Sequence, residues 1–388
     1  MLEWLIVGGG IHGTYFANLL IRQAGMPADK LAILDPHERL LAAWHRMTTN
    51  CGMRFLRSPA THQIDTPILS LYRFAKSPAG RPLAAFIPPY NRPSLDLFNA
   101  HCAHVIAANG LAARHIRGRA LALQRDGGAL VVETPSGLLR TRRVLLAIGQ
   151  GERPYWPPWA RDLKLQNAPI DHVFEPDFKR REVPANGATV VVGGGITAVQ
   201  TALALVARPD SHVILLARRP LEKSQFDFNP CWIGPKCLRA FHRQDPVARR
   251  AIIDGARIPG SLPGEVLDHF ERILAQHRIA FRQAAVQSAA VAGDGIHLIT
   301  EGGALHARRV ILATGFRPGR PGGSWVDRLV KAWELPCNTC GYPIVGDDLQ
   351  WGPDLYVTGP LAELQVGPCA RNIVGARNAG RMLLASRS

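Results

Sequence analysis

The sequence predicts an α/β fold with two Rossmann-like dinucleotide-binding domains, the second inserted into the first. Two stretches, LIVGGGIHGTYFANLL (5–20) and VVVGGGITAVQTALAL (190–205), each join an apolar run of strand length to a glycine cluster and then to apolar positions at helical spacing. Two further stretches, RRVLLAIGQGERP (142–154) and RRVILATGFRPGR (308–320), resemble each other as buried closing strands. Along the chain, each glycine motif is followed by one of these closing strands. We expect this order when one such domain is inserted into another.

The composition is that of a globular chain with more than one domain. The 388 residues suggest two or three domains, and a hydrophobic fraction of 47% with 20% charged residues excludes extensive disorder. The net charge is +16, but the basic residues form short clusters scattered along the chain, without a basic helix or zinc-finger spacing. We therefore expect no nucleic-acid partner, and interpret the charge as a basic surface that favours polyanionic cofactors.

No segment requires a membrane or secretion. The longest uncharged stretch, 188–207, is interrupted by three glycines, so a buried strand, a turn and a helix explain it better than a membrane span. The start of the sequence carries Glu3 and no basic region, which argues against a signal peptide. Seven cysteines in a chain of this length indicate no disulfide framework, so we expect a reducing, cytoplasmic location.

The domain boundaries follow from composition shifts. The segment GERPYWPPWARD (151–162) is rich in proline and aromatic residues, as a linker would be. We expect the first domain to occupy 1–165, the second 166–307, and the return to the first domain 308–388. The last part reads as a strand (LYVTG), a loop (PLAELQVGP) and a closing helix.

The first glycine motif has the spacing and context of a nucleotide-binding turn. The GxGxxG pattern needs glycine for a tight turn, for close approach of the backbone to a pyrophosphate, and for close helix–strand packing. Asp35 ends the next strand, where a carboxylate can bind ribose hydroxyls. The predicted cofactor-binding residues here are Gly8, Gly9, Gly10, Ile11, His12, Gly13 and Asp35.

The second motif is a GxGxxA variant that ends in Ala198. Its next strand ends in Arg218 and Arg219 instead of an acid. A guanidinium can bind a 2′-phosphate that a carboxylate would repel, so this site favours NADPH over NADH. Two nucleotide sites in one chain suggest a flavoprotein, with FAD at the first and NADPH at the second. The predicted residues are Gly193, Gly195, Ile196, Thr197, Arg218 and Arg219, with Gly149, Thr314 and Gly315 at the closing-strand ends.

The chain resembles the N-hydroxylating branch of the class B flavin monooxygenases, the lysine and ornithine hydroxylases. The segments that carry this resemblance are AWHRM (43–47), MRFLRSP (53–59), YNRPSLDLFNAH (90–101), SQFDFNPCWIGPKCLRAFHR (224–243) and ATGFRP (313–318). The active-site motifs diverge from the family's pattern. RIPGSLPGE stands near the place of its Asn-Tyr-Ser, Arg54 replaces a Gln, and PLAELQVGP replaces His-Gly-Leu-Ser-Asp.

The resemblance implies an FAD-dependent, NADPH-consuming monooxygenase. Such an enzyme forms a C4a-(hydro)peroxyflavin from O₂ and acts on a small, amino-acid-derived substrate. It implies cofactor contacts from Trp44, Met53, Leu364 and Gly367, the last two in a loop whose free amides would lie beside the flavin. The residues it suggests for catalysis are Arg54, Arg57 and His45. Arg57 would clamp a substrate carboxylate unless it is a surface arginine, and His45 would contact flavin or nicotinamide unless it is structural.

Two other functions remain open. The pair Cys337 and Cys340 could be a redox dithiol, as in pyridine nucleotide–disulfide oxidoreductases, although it falls outside those enzymes' usual positions. The second open function is that of a flavoprotein that binds dinucleotides without catalysing a reaction. A zinc site from these cysteines with Cys231 and Cys237 is weaker, because the latter pair is six residues apart, and we expect no metal. The sequence leaves a homo-oligomer open.

Overall fold

Two mainly parallel sheets, each carrying one glycine turn, organise the computed structural model, which describes residues 1–385. The first segment contains β1 (Leu2–Val7), α1 (Ile11–Arg22), β2 (Leu31–Asp35), α2 (Ala42–Asn50), α3 (Ser70–Lys76), β3 (Phe86–Ile87), β4 (Arg92–Pro93), α4 (Leu95–Ala108), β5 (His115–Arg117), β6 (Ala122–Asp126), β7 (Ala129–Thr134) and β8 (Gly137–Leu146).

The middle segment contains the second sheet and its covering helices. Its elements are α5 (Pro158–Leu165), β9 (Ile170–His172), β10 (Ala188–Val192), α6 (Ile196–Val206), β11 (His212–Ala217), β12 (Glu222–Lys223), α7 (Pro235–His242), α8 (Pro246–Ala256), β13 (Ser261–Leu262), α9 (Gly264–Ala275), β14 (Ile279–Gln283), β15 (Val286–Ala292), β16 (Gly295–Thr300), β17 (Gly303–Ala307) and β18 (Arg309–Leu312). The chain then returns through α10 (Gly323–Ala332), β19 (Gln350–Gly352), β20 (Leu355–Val357), α11 (Glu363–Val366) and α12 (Ile373–Ala385).

The first sheet has the strand order β19-β20-β8-β1-β2-β5, and β6 and β7 form an antiparallel extension of β8. The pairs β20–β8, β8–β1, β1–β2 and β2–β5 are parallel. Strands that helices cover on both faces need continuous apolar runs, and Trp4, Leu5 and Ile6 of β1 are fully buried. The apolar run before the first glycine motif is therefore the central strand of this domain.

The second sheet has the order β14-β11-β10-β18-β9, with parallel pairing throughout. The strands β15, β16 and β17 form a separate antiparallel sheet beside it. The prediction of two Rossmann-like domains, with the second inserted into the first, is confirmed.

The boundaries of the inserted domain lie a few residues from the predicted ones. Strand β18 (309–312) pairs with β10 and β9, so it belongs to the second sheet, and the return begins after it instead of at residue 308. Helix α5 also belongs to the second domain, because Ala160 and Leu163 are buried in its core with Ile170. The inserted domain therefore begins near residue 158 instead of 166.

A long excursion leaves the second domain between β12 and β13 and reaches the first. We call residues 224–258, which contain α7 and α8, the arm. Its residues Leu238 and Phe241 are buried in one apolar cluster with Leu364 of the first domain's return segment. Within the arm, Cys231 and Cys237 form a disulfide, so the prediction that the cysteines are reduced is wrong for this pair in the structure.

No helix within residues 1–385 is long and apolar enough to cross a membrane.

Candidate functional site

The first glycine turn joins β1 to α1 and leaves the start of the helix open. A Cβ on Gly13 would lie 1.7 Å from the carbonyl oxygen of Gly8, so only glycine allows α1 to pack this close to the turn. Gly8 has a φ of +115°, and its own Cβ would lie 2.5 Å from the carbonyl oxygen of Ala147. Gly10 precedes α1, no side chain caps the helix there, and a Cβ on it would meet no atom within 4 Å. Free amides and open space at a helix N-terminus suit a pyrophosphate.

Asp35 lies beside this turn at the carboxyl end of β2. Its Oδ2 accepts a hydrogen bond from the amide of Gly9 at 2.6 Å, and its Oδ1 accepts one from the amide of His37 at 3.0 Å. The His37 ring lies 2.7 Å from Oδ1. A carboxylate can accept about four hydrogen bonds, so one acceptor position is left for a ribose hydroxyl.

His12, in the first turn of α1, is held by the return segment. Its Nε2 lies 3.2 Å from the carbonyl oxygen of Asn372, which can only accept, so Nε2 carries the proton. Its Nδ1 then accepts from the hydroxyl of Thr358 at 2.9 Å. Burial lowers the pKa of His12 to about 4, so the ring is neutral at pH 7. The predicted cofactor residue thus joins the glycine turn to the last strand and helix of its domain.

The second glycine turn, between β10 and α6, has similar constraints but is more crowded. Gly193 has a φ of +151°, and its Cβ would lie 2.4 Å from the carbonyl oxygen of Ala313. Ala198 is fully buried at the third position of the motif. A Cβ on Gly195 would lie 3.3 Å from Cα of Gly260, so the loop before β13 lies against this turn, whereas Gly10 faces open space. Ile196 and Thr197 form the partly buried first turn of α6.

Arg218 and Arg219 follow the carboxyl end of β11, the strand next to β10. Both are exposed, and neither forms an ion pair or a hydrogen bond with another residue in the described part of the chain. Their guanidinium groups therefore keep all their donors for a ligand phosphate.

The residues at the closing-strand ends lie beside the two turns. Gly149 follows β8 and is exposed. Thr314 and Gly315 follow β18, and both bond to Tyr155 of the linker between the domains: the Thr314 hydroxyl donates to its carbonyl and the Gly315 carbonyl accepts from its amide. These contacts hold the crossover between the sheets next to the second turn.

The residues suggested by the family resemblance lie in different places. The Trp44 indole donates to Asn99 Oδ1 at 2.9 Å, and Met53 is partly buried against the cores of both domains. Arg54 is exposed. His45 lies in the wall of a groove on the outer face of α2, and burial, followed by the charge of Arg39, lowers its pKa.

Arg57 connects the two domains. Its Nε donates to the carbonyl of Gln225 at 2.8 Å, and its Nη2 donates to the carbonyl of Ser224 at 2.8 Å and to the Ser261 hydroxyl at 2.9 Å. Its Nη1 donates to the carbonyl of Ser261 at 3.2 Å. These four bonds tie Arg57 to the arm and to β13, and a direct contact of Arg57 with substrate stays a prediction.

The loop before α12 differs from its prediction. Leu364 is buried against the arm, and a Cβ on Gly367 would lie 3.1 Å from Leu238. The amide of Gly367 donates to the carbonyl of Glu363 at 2.9 Å, so the prediction of a free amide there is wrong. The reason is local: residues 363–366 form a short helix, α11, whose turn uses that amide.

A buried charge cluster, which the sequence analysis missed, fixes this loop to the arm. Glu363 is fully buried, and its carboxylate accepts from Arg257 Nη2 at 2.8 Å and from Arg371 Nε at 2.9 Å. Arg250 is its third partner. Burial alone would raise the pKa of Glu363, but the positive charges of Arg257, Arg371 and Arg250 lower it below its ordinary value. Arg250 and Arg257 are over 100 residues from Glu363 in sequence, so no local pattern signals the cluster.

The remaining cysteines do not form an activated pair. Cys337 is partly buried and Cys340 is exposed, and both are free thiols. Burial raises the pKa of Cys337, whereas a nucleophilic thiol needs a lowered one. The bond between Cys231 and Cys237 removes two of the four ligands of the weaker zinc alternative, and residues 1–385 contain no group of three or more His, Cys, Asp or Glu able to hold a metal.

Two mainly parallel sheets, each with a glycine turn, give a two-domain fold of the dinucleotide-binding type, in which the first turn is open and the second lies against the loop at Gly260. Residues 5–151, from within β1 to the loop after β8, match the model of the FAD-NAD(P)-binding family. A comparison with curated protein sequences finds no match.

Solved structures share the whole architecture. An L-lysine 6-monooxygenase from Pseudomonas syringae is 19% identical with a TM-score of 0.76, over 100% of this chain and 99% of that one. The FAD-bound cadaverine monooxygenase of Erwinia amylovora is 12% identical with a TM-score of 0.76, over 99% and 94%. An ornithine N-hydroxylase from Kutzneria sp. 744, with reduced FAD, NADP⁺ and L-ornithine, is 15% identical with a TM-score of 0.74, over 100% and 98%. The resemblance to the N-hydroxylating monooxygenases is confirmed at the level of the fold.

Proposed function

We propose that this protein is an FAD-dependent, NADPH-consuming monooxygenase that acts on a small, amino-acid-derived substrate. The observation that carries the proposal is the open start of α1 at Gly10, with the Asp35 carboxylate beside it and a second glycine turn on the neighbouring sheet. The structural neighbours with FAD or NADP⁺ in their crystals support it, because they share this two-domain arrangement.

The first turn fits FAD by its shape and by its donors. Gly10 offers open space at an uncapped helix start, and the one free acceptor position of Asp35 suits a ribose hydroxyl. Neutral His12 adds no charge beside the cofactor, and its two hydrogen bonds fix where α1 begins relative to β20 and α12. When bound, FAD supplies hydride acceptance and oxygen activation, which no side chain can provide.

The second turn fits NADPH by charge. Arg218 and Arg219 have free donors for a 2′-phosphate, and the uncapped start of α6 at Gly195 suits a diphosphate. The loop at Gly260 narrows the space in front of this turn. The hydrogen bonds from Arg57 to Ser261 hold that loop against the first domain. We infer that Arg57 positions the loop that covers NADPH.

The arm excludes water from one side of the return segment. Leu238 and Phe241 cover α11, and Arg249 donates to the carbonyl of Leu364 at 3.1 Å. A site that excludes water suits an oxygen-transfer reaction, because water would otherwise consume the reactive oxygen species before it reaches the substrate.

The alternative, a disulfide oxidoreductase that uses Cys337 and Cys340, receives less support. The raised pKa of Cys337 keeps that thiol protonated at pH 7, and thiol–disulfide exchange requires the thiolate.

Anaerobic reduction tests the proposal. NADPH is mixed with the purified protein without oxygen, flavin absorbance is followed, and oxygen is then admitted. We expect a long-lived absorbing species that differs from both oxidised and reduced flavin. Rapid peroxide release without such a species would instead indicate an oxidase, and protein purified without flavin would contradict the proposal outright.

A further inference from the structure

A second candidate binding site lies along one face of α2, and its lining contains none of the glycines of the two turns. It is a groove of about 370 Å³ between α2 of the first domain and residues 176–181 of the second. We call it the α2 groove. Its volume falls within the range of small-molecule sites, and it has walls from both domains.

The charge of the α2 groove is strongly one-sided. Five cationic side chains line it against the single acid Glu38. The cationic residues are Arg39, Arg46, Lys179, Arg180 and Arg181. Glu38 lies 3.9 Å from Arg39, and Lys179 pairs at 3.0 Å with Glu182, so each of these cations has a partner.

Three guanidinium groups have no counter-charge. Arg46 and Arg181 form no ion pair or hydrogen bond with the other described residues. Arg180 donates only to neutral carbonyls, that of Ala204 at 3.2 Å and that of Thr49 at 3.5 Å. These bonds anchor Arg180 to both domains, so its charge is fixed on the groove wall before any ligand arrives.

We propose that the α2 groove binds a small organic phosphate or diphosphate. Guanidinium groups match phosphate oxygens bidentately, and an anchored cation loses little conformational entropy on binding. The lining includes no residue of either glycine turn, although it includes His45, so the inference goes beyond the proposed monooxygenase function and the test below separates the groove from the two cofactor sites. A ligand there would contact both domains at once.

Isothermal titration with inorganic pyrophosphate and with AMP tests the proposal, using the protein as purified with any bound flavin. We expect at least one of the two to bind. The double variant Arg46→Gln/Arg181→Gln should weaken that binding by at least about tenfold, because it removes two charge-assisted donors. The matched control is Arg81→Gln/Arg328→Gln, which removes the same charge from two exposed positions elsewhere and should leave binding within about twofold.

Three results would overturn the proposal. The first is that neither probe binds at millimolar concentration. The second is equal weakening in the control, which would indicate a non-specific effect of net charge. The third is loss of flavin in the groove variant, or competition between NADP⁺ and the probe, since either would assign the groove to a cofactor. If the double variant does not fold, Arg181→Gln alone, at an exposed position, replaces it with the same criteria.

Discussion

Gly13 is the residue on which the first nucleotide turn depends most. Replacing it by valine would place a side chain 1.7 Å from the Gly8 carbonyl and push α1 away from β1. We therefore expect Gly13→Val to lose nearly all bound flavin, measured by the absorbance ratio of flavin to protein. The control is Gly255→Val, an exposed position where an added Cβ meets no atom within 4 Å, and it should keep its flavin. Full flavin retention by Gly13→Val would contradict the assignment of this turn.

Arg218 and Arg219 should determine the choice of nicotinamide cofactor. A charge-assisted hydrogen bond contributes about 1.5–3 kcal/mol, or roughly ten- to a hundredfold in affinity. Replacing both by alanine should erase most of the preference for NADPH over NADH, measured as the ratio of flavin reduction rates. Arg272→Ala, at an exposed position on α9, should leave the ratio unchanged. An unchanged ratio in the double variant would show that these arginines have another role.

Cys340 distinguishes the monooxygenase from the dithiol enzyme. Cys340→Ser should leave NADPH-driven flavin reduction nearly unchanged, because the proposed reaction uses no thiol, and an exposed side chain contributes about 1 kcal/mol or less to stability. Thiols are counted before and after anaerobic treatment with NADPH, in the wild type and in the variant. Two extra thiols in the wild type and none in Cys340→Ser would favour the disulfide oxidoreductase. Cys231→Ser serves as control, because the Cys231–Cys237 bond could also release two thiols.

At the scale of elements, the Glu363 cluster holds the arm against α11. Glu363→Gln leaves the guanidinium groups of Arg250, Arg257 and Arg371 near each other without a buried counter-charge. Loss of one partner of a buried ion pair costs about 3–5 kcal/mol, so we expect a fall of that size in the free energy of unfolding in urea, and faster proteolysis within the arm. The matched control is Glu152→Gln, whose partner Arg119 is exposed, and it should cost less than about 1 kcal/mol. An equal loss of unfolding free energy in the two variants would show that the Glu363 cluster does not stabilise the contact between the arm and α11.

The elements that the sequence predicted well are those with a local cause. The apolar runs of β1 and β10 are buried on both faces, and the glycines after them are required by contacts as close as 1.7 Å. The apolar run and the glycines lie within about ten residues of each other, so the strand and its turn can be predicted without knowing the tertiary structure. The same is true of Asp35, whose place at the end of β2 follows from the strand that precedes it.

The parts that the sequence did not predict depend on contacts between distant residues. The scattered basic clusters predict a basic surface, but Arg250 binds the buried Glu363, 113 residues away. The burial of Leu364 against Leu238 and Phe241 of the arm likewise joins residues far apart in the sequence. The assignment of β18 to the second sheet rests on its pairing with β9, which lies about 140 residues earlier. Neither composition nor periodicity contains this information.

At the scale of the whole molecule, buried histidines should make the protein sensitive to acid. Burial lowers the pKa of His12, His62, His101 and His172 to about 4 each, compared with about 6.5 in an unfolded chain. Between these values the unfolded state binds more protons, so stability is full above pH 6.5 and falls as the pH drops toward 4. Each group contributes up to about 1.4 kcal/mol per pH unit. We expect a clearly lower melting temperature at pH 5.5 than at pH 7.5.

Single substitutions test this origin of the acid sensitivity. His101 is fully buried, so His101→Gln should make the fall in melting temperature between pH 7.5 and 5.5 smaller, even though the variant is less stable at pH 7.5. His297→Gln, at an exposed position, should leave the fall as it is in the wild type. A melting temperature independent of pH in the wild type would contradict the account.

The insertion of one domain into the other also sets an order in which the parts can be completed during synthesis. The chain leaves the ribosome from its amino terminus, and domains fold as units as they emerge. The first sheet must wait for β20, and α1 must wait for α12, whose Gly380 packs so closely that an added Cβ would lie 2.8 Å from Leu19. The sheet of the second domain comes from one continuous stretch and needs no strand made after β18, whereas its arm meets Glu363 and Leu364 only once the return segment is made. The domain that begins first is therefore finished last, around a neighbour that is already in place.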